Sequence, residues 1–337
     1  MIQLGTVPFC TFFSGVLHFK ELLSKIVQKG TVPNCIIFEK VLYFWDICTP
    51  VSNVYLSHMD TKLIDLKDYE LSGGGKLGES YIKLDDPDIL LKMYPLQYKQ
   101  LGFDEYEKAR KAFDIGLPCP EPGELVTTAD GRIGVRFKRI KGKKSYARAI
   151  SEHPERIDQY AMEFSAMCKK LHSTIPEPGL FPRAKDQYIK GIHINPYLTD
   201  EEKKGLERFV HDLHDANTAV HGDLHHGNMI FADDGQKYFI DLSDLCIGSP
   251  LFDLGIIMLQ TCWVNEEMEE ELYHMKKDLS TAFWKAFVKA HFGPDADIEK
   301  VEEMLKPYAI LRVIVAERFL GRPALQIRPA LHAMINK

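Results

Sequence analysis

The sequence predicts an α+β chain in two lobes, a sheet-rich one followed by a helical one. Between residues 68 and 140, short β-branched and aromatic runs alternate with Gly, Pro and Asp turns. Beyond Lys141 the apolar residues recur at helical spacing instead. Residues 221–253, HGDLHHGNMIFADDGQKYFIDLSDLCIGSPLFD, interrupt the helices with a compact polar segment carrying Asp and Asn at fixed distances. At 337 residues there is length for two lobes, and a 45% hydrophobic share can build their cores. The net charge of -6 argues against a nucleic-acid partner, which would want a basic face. Cys10, Cys35, Cys48, Cys119, Cys168, Cys246 and Cys262 are scattered and never C-x-x-C, the pattern of a reducing, cytoplasmic compartment.

Residues 1–58 stand apart. They are rich in aromatics (Phe12, Phe13, Phe38, Tyr43, Phe44, Trp45), and only 21–29 has a helical pattern. Residues 1–19 hold no Asp, Glu, Lys or Arg, but the basic n-region is missing and Gln3, Pro8, Ser14, Gly15 and His18 break the apolar run. Neither a signal peptide nor a spanning helix is expected, and no membrane partner. Two readings stay open: an upstream extension, with Met59 as a start, or an accessory element docking its aromatics on the sheet lobe.

The sheet lobe, 59–140, begins with strands at 69–71, 81–84 and 89–94, with SGGGKLGES and DDPD between them. Gly73, Gly75 and Gly78 match G-x-G-x-x-G, which dinucleotide folds share. A Rossmann unit needs a helix next, and here strands follow. A Walker A loop needs Ser or Thr after Lys76, and Leu77 stands there. What remains is a glycine flap whose backbone N–H groups approach phosphates, or a plain flexible turn. Lys92 lies mid-strand among apolar neighbours, with Lys83 its rival. A helix over 103–114 offers Glu105 and Glu107 as acids. Pro118, Pro120 and Pro122 lead into a hairpin, 124–126 and 133–140, turned at 129–131. Gly142 lets the chain turn into the second lobe, 141–337.

There, 155–171 places Ile157, Tyr160, Ala161, Phe164, Cys168 and Leu171 in one stripe, and His172 reads as a structural histidine. Thr199 and Glu202 form a capping box opening a helix to about Asp215. Further helices are expected over 253–263, 266–291 (stopped by Gly293) and 297–320 (stopped by Gly321 and Pro323).

Asp223 and Asn228 are five residues apart, and Asp241 follows thirteen later behind an apolar strand. H-x-D-x-x-x-x-N is the spacing of a kinase catalytic loop. Phosphoryl transfer needs a carboxylate beside the attacking hydroxyl and oxygen ligands for Mg²⁺ on the ATP phosphates. Asp and Asn in a loop also serve as plain turn formers. A hydrolytic metal centre built from His221, Asp223, His225 and His226 is a further alternative.

HGDLHHGN, IDLSD and PLFDLG resemble the aminoglycoside phosphotransferase and choline kinase group of small-molecule kinases, from about Leu66 to the C-terminus. The resemblance implies a protein-kinase-like bilobal fold. It makes Asp223 the catalytic base, Asn228 and Asp241 the Mg²⁺ ligands, and His221 and Asp253 braces of the loop. It implies Gly73, Gly75 and Gly78 over the ATP phosphates, Lys92 on the α- and β-phosphates, and Glu105 as the lysine's partner. Arg139 and Ile140 would mark the hinge whose backbone holds adenine. The partner would be a small-molecule hydroxyl acceptor bound by the C-terminal helices. The acidic run 266–271 lies where the family lines its acceptor cleft, so a cationic acceptor is expected. A protein Ser/Thr kinase is the alternative. Against it, Gly222 replaces the Arg of H-R-D, Asp241-Leu242-Ser243 replaces D-F-G, and eleven residues between Asp241 and Asp253 leave no room for a peptide-binding segment. Nothing in the sequence sets an oligomeric state.

Overall fold

The computed structural model describes residues 61–75 and 78–336; the segment 1–58, with both readings of it, lies outside the described residues. The described elements belong to one compact unit, Lys62–Lys337. Its first part is a six-stranded sheet: β1 (Lys62–Ile64), β2 (Tyr69–Gly75), β3 (Gly78–Lys83), β4 (Ile89–Tyr94), β5 (Pro122–Thr128) and β6 (Ile133–Lys138). Their order is β1-β5-β6-β4-β3-β2, with β1 parallel to β5 and every other pair antiparallel. Alternation explains the packing: Leu91 and Met93 of β4, Val126 of β5 and Val135 of β6 are buried, whereas Lys92 between the first two faces the other way. Helix α1 (Lys99–Asp114) buries Phe103, Ala109 and Ala112, and begins four residues before the helix read from sequence. The three-residue β1 carries no alternation long enough to read, and the sequence analysis missed it.

The second lobe opens with β7 (Lys144–Ser145), α2 (Tyr146–Glu152) and α3 (Ile157–Ser173), in which Tyr160, Ala161, Phe164, Cys168 and Leu171 are buried as expected. Then come α4 (Ala184–His193) and α5 (Asp200–Asp212), the latter opened by the expected capping box: Glu202 N donates to Thr199 Oγ1 at 3.2 Å and Thr199 N to Glu202 Oε2 at 2.8 Å. Four short strands follow, β8 (Thr218–Val220), β9 (Met229–Phe231), β10 (Lys237–Phe239) and β11 (Cys246–Gly248), pairing as β10-β9-β7 and β11-β8. The chain ends in α6 (Leu251–Met258) with a π turn (Leu259–Trp263), α7 (Glu266–Tyr273), α8 (Lys277–Phe292), α9 (Ile298–Leu320) and α10 (Arg328–Ile335).

The single helix expected over 266–291 is two, parted at His274, whose φ of 52° is left-handed. Helices α2, α4 and α10 are additions to the sequence reading. Phe164 of α3 meets Phe283 and Phe287 of α8 edge-on at 5.5 and 5.7 Å, and Phe252 of α6 stacks on Tyr188 of α4 at 4.8 Å. These aromatic contacts fix the helices around the small strands.

Candidate active site

Residues 221–228 form a loop between β8 and β9. β9 and β10 pair with Met229 opposite Phe239, and Ile240 N donates to Asn228 O at 3.0 Å, continuing the ladder by one step. Asn228 and Asp241 are thereby carried to the same end of this hairpin. Asp253, in the first turn of α6, holds the loop from below. Its carboxylate accepts from His221 N at 2.8 Å, Gly222 N at 2.9 Å and His172 Nε2 at 3.0 Å. His172 is thus the structural histidine anticipated. Gly222 has φ +83°, and a Cβ there would run into the main chain of Asp244. The position that holds Arg in protein kinases admits only glycine here.

His221 donates from Nε2 to Ile240 O at 2.9 Å and accepts from Asp223 N through Nδ1 at 3.3 Å. His225 Nδ1 accepts from Gly227 N at 3.0 Å, and burial lowers its pKa to about 4. His226 is sealed off at 0% exposure. His225 Nε2 lies 3.9 Å from Asp223 Oδ2 and His226 Nε2 3.7 Å from Glu269 Oε2, yet among the described residues no three His, Cys, Asp or Glu side chains converge as a metal site. The hydrolytic metal centre expected as an alternative finds no such convergence among the described residues.

Asp223 Oδ1 accepts from Arg312 Nη2 at 2.9 Å, while Asn228 Nδ2 donates to Asp223 O at 3.0 Å and lies 3.4 Å from Oδ2. Burial works against ionisation of Asp223, but the groups around it, Arg312 first among them, together outweigh it and hold the carboxyl below its usual range. From the sheet lobe, Lys92 Nζ reaches Glu105 at 2.9 Å and pairs with Asp241. Burial opposes its charge, and the two carboxylates override that and raise its pKa. The rivals lie elsewhere: Lys83 pairs with Asp85 at 2.6 Å, and Glu107 with Lys111 at 2.8 Å on the outer face of α1. Asp241 itself is left-handed, with φ 61° and ψ 57°, a conformation rare for a side chain other than glycine.

The segment Leu242–Asp244 is held from two further elements: Lys108 Nζ of α1 donates to Ser243 O at 2.5 Å, and Arg312 of α9 to Asp244 Oδ2 at 3.3 Å. Arg312 and Lys108 were absent from the sequence reading. For Arg312 the signal was available, a lone cation inside Ile-Leu-Arg-Val-Ile-Val.

The glycines form the β2–β3 hairpin, where Gly73 pairs with Ser80, Gly74 with Glu79 and Gly75 with Gly78. A Cβ on Gly73 would meet open space, whereas one on Gly78 would strike the Met93 carbonyl. Gly78 therefore has a packing reason to be glycine. Arg139 N donates to Asp88 O at 2.7 Å, extending the β4–β6 ladder, and its side chain reaches Pro87 O at 3.1 Å. The Arg139 amide is thus committed within the sheet, which confines any hinge contact to its carbonyl and to Ile140. The acidic run does not act as one face. Glu269 is fully buried, accepting from Ser280 Oγ at 2.6 Å, whereas Glu266, Glu267, Glu270 and Glu271 are exposed. What α7 turns to the loop is Tyr273, its ring 5.1 Å from His225 and 4.4 Å from His226, and the buried Glu269, whose Oε2 lies 3.7 Å from His226 Nε2.

The model of the phosphotransferase enzyme family matches residues 72–283, well over half of the chain. The chain belongs to that family. Among solved structures, this phosphotransferase is similar to a thermostable mutant of aminoglycoside phosphotransferase APH(4)-Ia, with TM-score 0.51 and 13% identity over 80% of this chain and 94% of that one. It is also similar to aminoglycoside phosphotransferase APH(3'')-Id from Streptomyces rimosus, with TM-score 0.47 and 18% identity over 72% of this chain and 92% of that one. Choline kinase LicA from Streptococcus pneumoniae gives TM-score 0.47 and 17% identity over 80% of this chain and 92% of that one. The phosphotransferase has a kinase-like fold, with the two lobes read from the sequence. No helix among the described residues is long and apolar enough to cross a membrane.

Proposed function

We propose that this phosphotransferase moves the γ-phosphate of ATP to a hydroxyl of a small molecule in the cytoplasm. The supporting observation is the meeting of Lys92, Glu105 and Asp241 beside the loop that carries Asp223 and Asn228. Lys92, charged and fixed by Glu105, contacts the α- and β-phosphates under the Gly73–Gly75–Gly78 hairpin. The backbone near the Arg139 carbonyl and Ile140 holds adenine. Asn228 spends its amide N–H₂ on Asp223, which leaves its oxygen as the donor. With the Asp241 carboxylate, that is the hard oxygen set Mg²⁺ prefers. When bound, Mg²⁺ neutralises charge on the phosphates. Asp223 accepts the hydroxyl proton and orients the attacking oxygen.

The acceptor is small because no peptide platform follows Asp241. After Leu242–Asp244 the chain enters β11, which pairs with β8, and goes straight into α6. One similar structure is a complex with ADP and streptomycin. A cationic acceptor remains the reading carried from the family, and the exposed Glu266, Glu267, Glu270 and Glu271 of the acidic run are the carboxylates it rests on. The test is an ATP-consumption screen against aminoglycosides, choline, ethanolamine, sugars, homoserine and methylthioribose, with a general protein substrate as control. Calorimetric titration with Mg-ATP accompanies it. Acceptor-dependent ADP release with a small alcohol is the expected result. Absence of Mg-ATP binding, or turnover with the protein substrate alone, would sink the reading.

A further inference from the structure

Arg312 is out of character with its surroundings. Ile310, Leu311, Val313 and Ile314 of α9 are buried, and the Arg312 side chain is itself only 24% exposed. A guanidinium among such neighbours is costly unless carboxylates meet it. Two do, and both through one nitrogen: Nη2 lies 2.9 Å from Asp223 Oδ1 and 3.3 Å from Asp244 Oδ2. Asp223 stands in the loop that carries Asn228, and Asp244 stands three residues beyond Asp241. The same two segments touch again where Gly222 passes the Asp244 main chain. Lys92, on the nucleotide side, is held by Glu105 and Asp241 instead.

Resting on the phosphotransfer reading above, we propose that Arg312 is a positioning residue, which pins one oxygen of Asp223 so that the other faces the acceptor hydroxyl. An aspartate carboxyl left alone rotates freely about its last bond. Arg312 on Oδ1 removes that freedom, and Asn228 Nδ2, bonded to the Asp223 main-chain oxygen at 3.0 Å and 3.4 Å from Oδ2, leaves Oδ2 a second lone pair for the hydroxyl. Oδ2 is then the atom to which a hydroxyl proton passes. Its bond to the attacking oxygen breaks as the new oxygen–phosphorus bond forms, and ADP leaves with the electron pair of the broken phosphoanhydride. Because Arg312 also grips Asp244, the base and the segment after Asp241 keep one spacing. Misplacement of a reacting group by about 1 Å costs roughly a hundredfold in rate.

The experiment compares wild type, Arg312→Gln, Arg312→Lys, Asp223→Asn and the Arg312→Gln/Asp223→Asn double variant, all as the full chain. Mg-ADP affinity is measured by calorimetry. ADP release from Mg-ATP is measured with water alone and with each compound of the screen. Arg312→Gln should bind Mg-ADP within about twofold of wild type yet release ADP roughly 10- to 100-fold more slowly. In the Asp223→Asn background it should cost nothing more, since a residue acting through Asp223 has nothing left to act on. Arg312→Lys should recover part of the rate. Wild-type turnover in Arg312→Gln, an additive loss in the double variant, or a parallel loss of Mg-ADP affinity overturns the proposal. Where turnover falls to background, the crystal structure of Arg312→Gln decides: a rotated Asp223 carboxyl supports positioning, and an unmoved one refutes it. Failure of wild type to bind Mg-ADP strikes at the phosphotransfer reading itself, a result distinct from all of these.

Discussion

Asp223 and Asp241 are the same side chain given two tasks by their neighbours. Asp223 meets Arg312 and Asn228 within the helical lobe, whereas Asp241 meets Lys92 from the sheet. Asp223→Asn preserves shape and removes the proton acceptor, so Mg-ATP affinity should stay near wild type while turnover falls by the roughly 10²–10⁴-fold typical of a lost general base. Asp241→Ala should instead weaken Mg-ATP binding, because it deletes a proposed metal ligand. Equal Mg-ATP affinity in the Asp241→Ala and wild-type proteins, read by calorimetry, would remove that role from Asp241. These residues were legible because the loop, the turn and the strand between them are local, and spacing fixes their register. Lys92 and Glu105 were legible as candidates, but only the fold separates Glu105 from Glu107, one turn-fraction away on the same helix. Arg312 stands out as a lone cation in an apolar run, but its partner could not be read, because Asp223 lies 89 residues earlier and no periodicity links them.

At the scale of elements, long amphipathic runs announced themselves, as in α3, α5 and α9. The missed pieces, β1, α2, α4 and α10, span ten residues or fewer and lack the repeats that make a period visible. The break between α7 and α8 has a tertiary cause. Glu269 is buried, and the groups that meet its Oε1, Ser280 Oγ at 2.6 Å and Lys277 Nζ at 3.9 Å, come from α8 folding back over α7. No Gly or Pro marks that reversal, so the sequence read straight through it. The contact of α8 with α3 contains a pH-sensitive group. His291 of α8 sits 3.1 Å from Ser165 Oγ of α3, and burial lowers its pKa to about 4. A histidine kept neutral by the fold contributes stability that is present above its unfolded pKa, near 6.5, and is lost as pH falls through the folded value. Wild type should therefore lose melting temperature between pH 6.5 and 4 more steeply than His291→Gln. Parallel curves for the two proteins would show that His291 does not titrate differently on unfolding.

For the whole molecule, the change from strand to helix patterning near Lys141 sufficed to read two lobes, while their mutual fit depends on contacts no local pattern shows. Lys92 joins Asp241, and Lys108 joins Ser243, so the segment after the hairpin is tied to the sheet lobe. Because every described element belongs to the unit Lys62–Lys337, a protein beginning at Met59 should unfold cooperatively and keep Mg-ADP affinity; an insoluble product would show that 1–58 completes the core. The nucleotide itself gives the last prediction. A ligand that binds only the folded chain stabilises it by about 2.7 kcal/mol at a hundredfold excess over Kd. In a chain of this size, each kcal/mol moves the melting temperature by about 2–4 °C, so saturating Mg-ADP should raise it by roughly 5–10 °C. Asp241→Ala has also lost one of the two carboxylate partners of Lys92, so its melting point without nucleotide will differ. The informative quantity is the rise on adding Mg-ADP to each protein. That rise should be retained in Asp223→Asn, whose substitution lies on the acceptor side, and be largely lost in Asp241→Ala and Lys92→Ala. A full rise in Lys92→Ala would place the phosphates away from the Lys92–Glu105–Asp241 cluster and move the nucleotide out of this cleft.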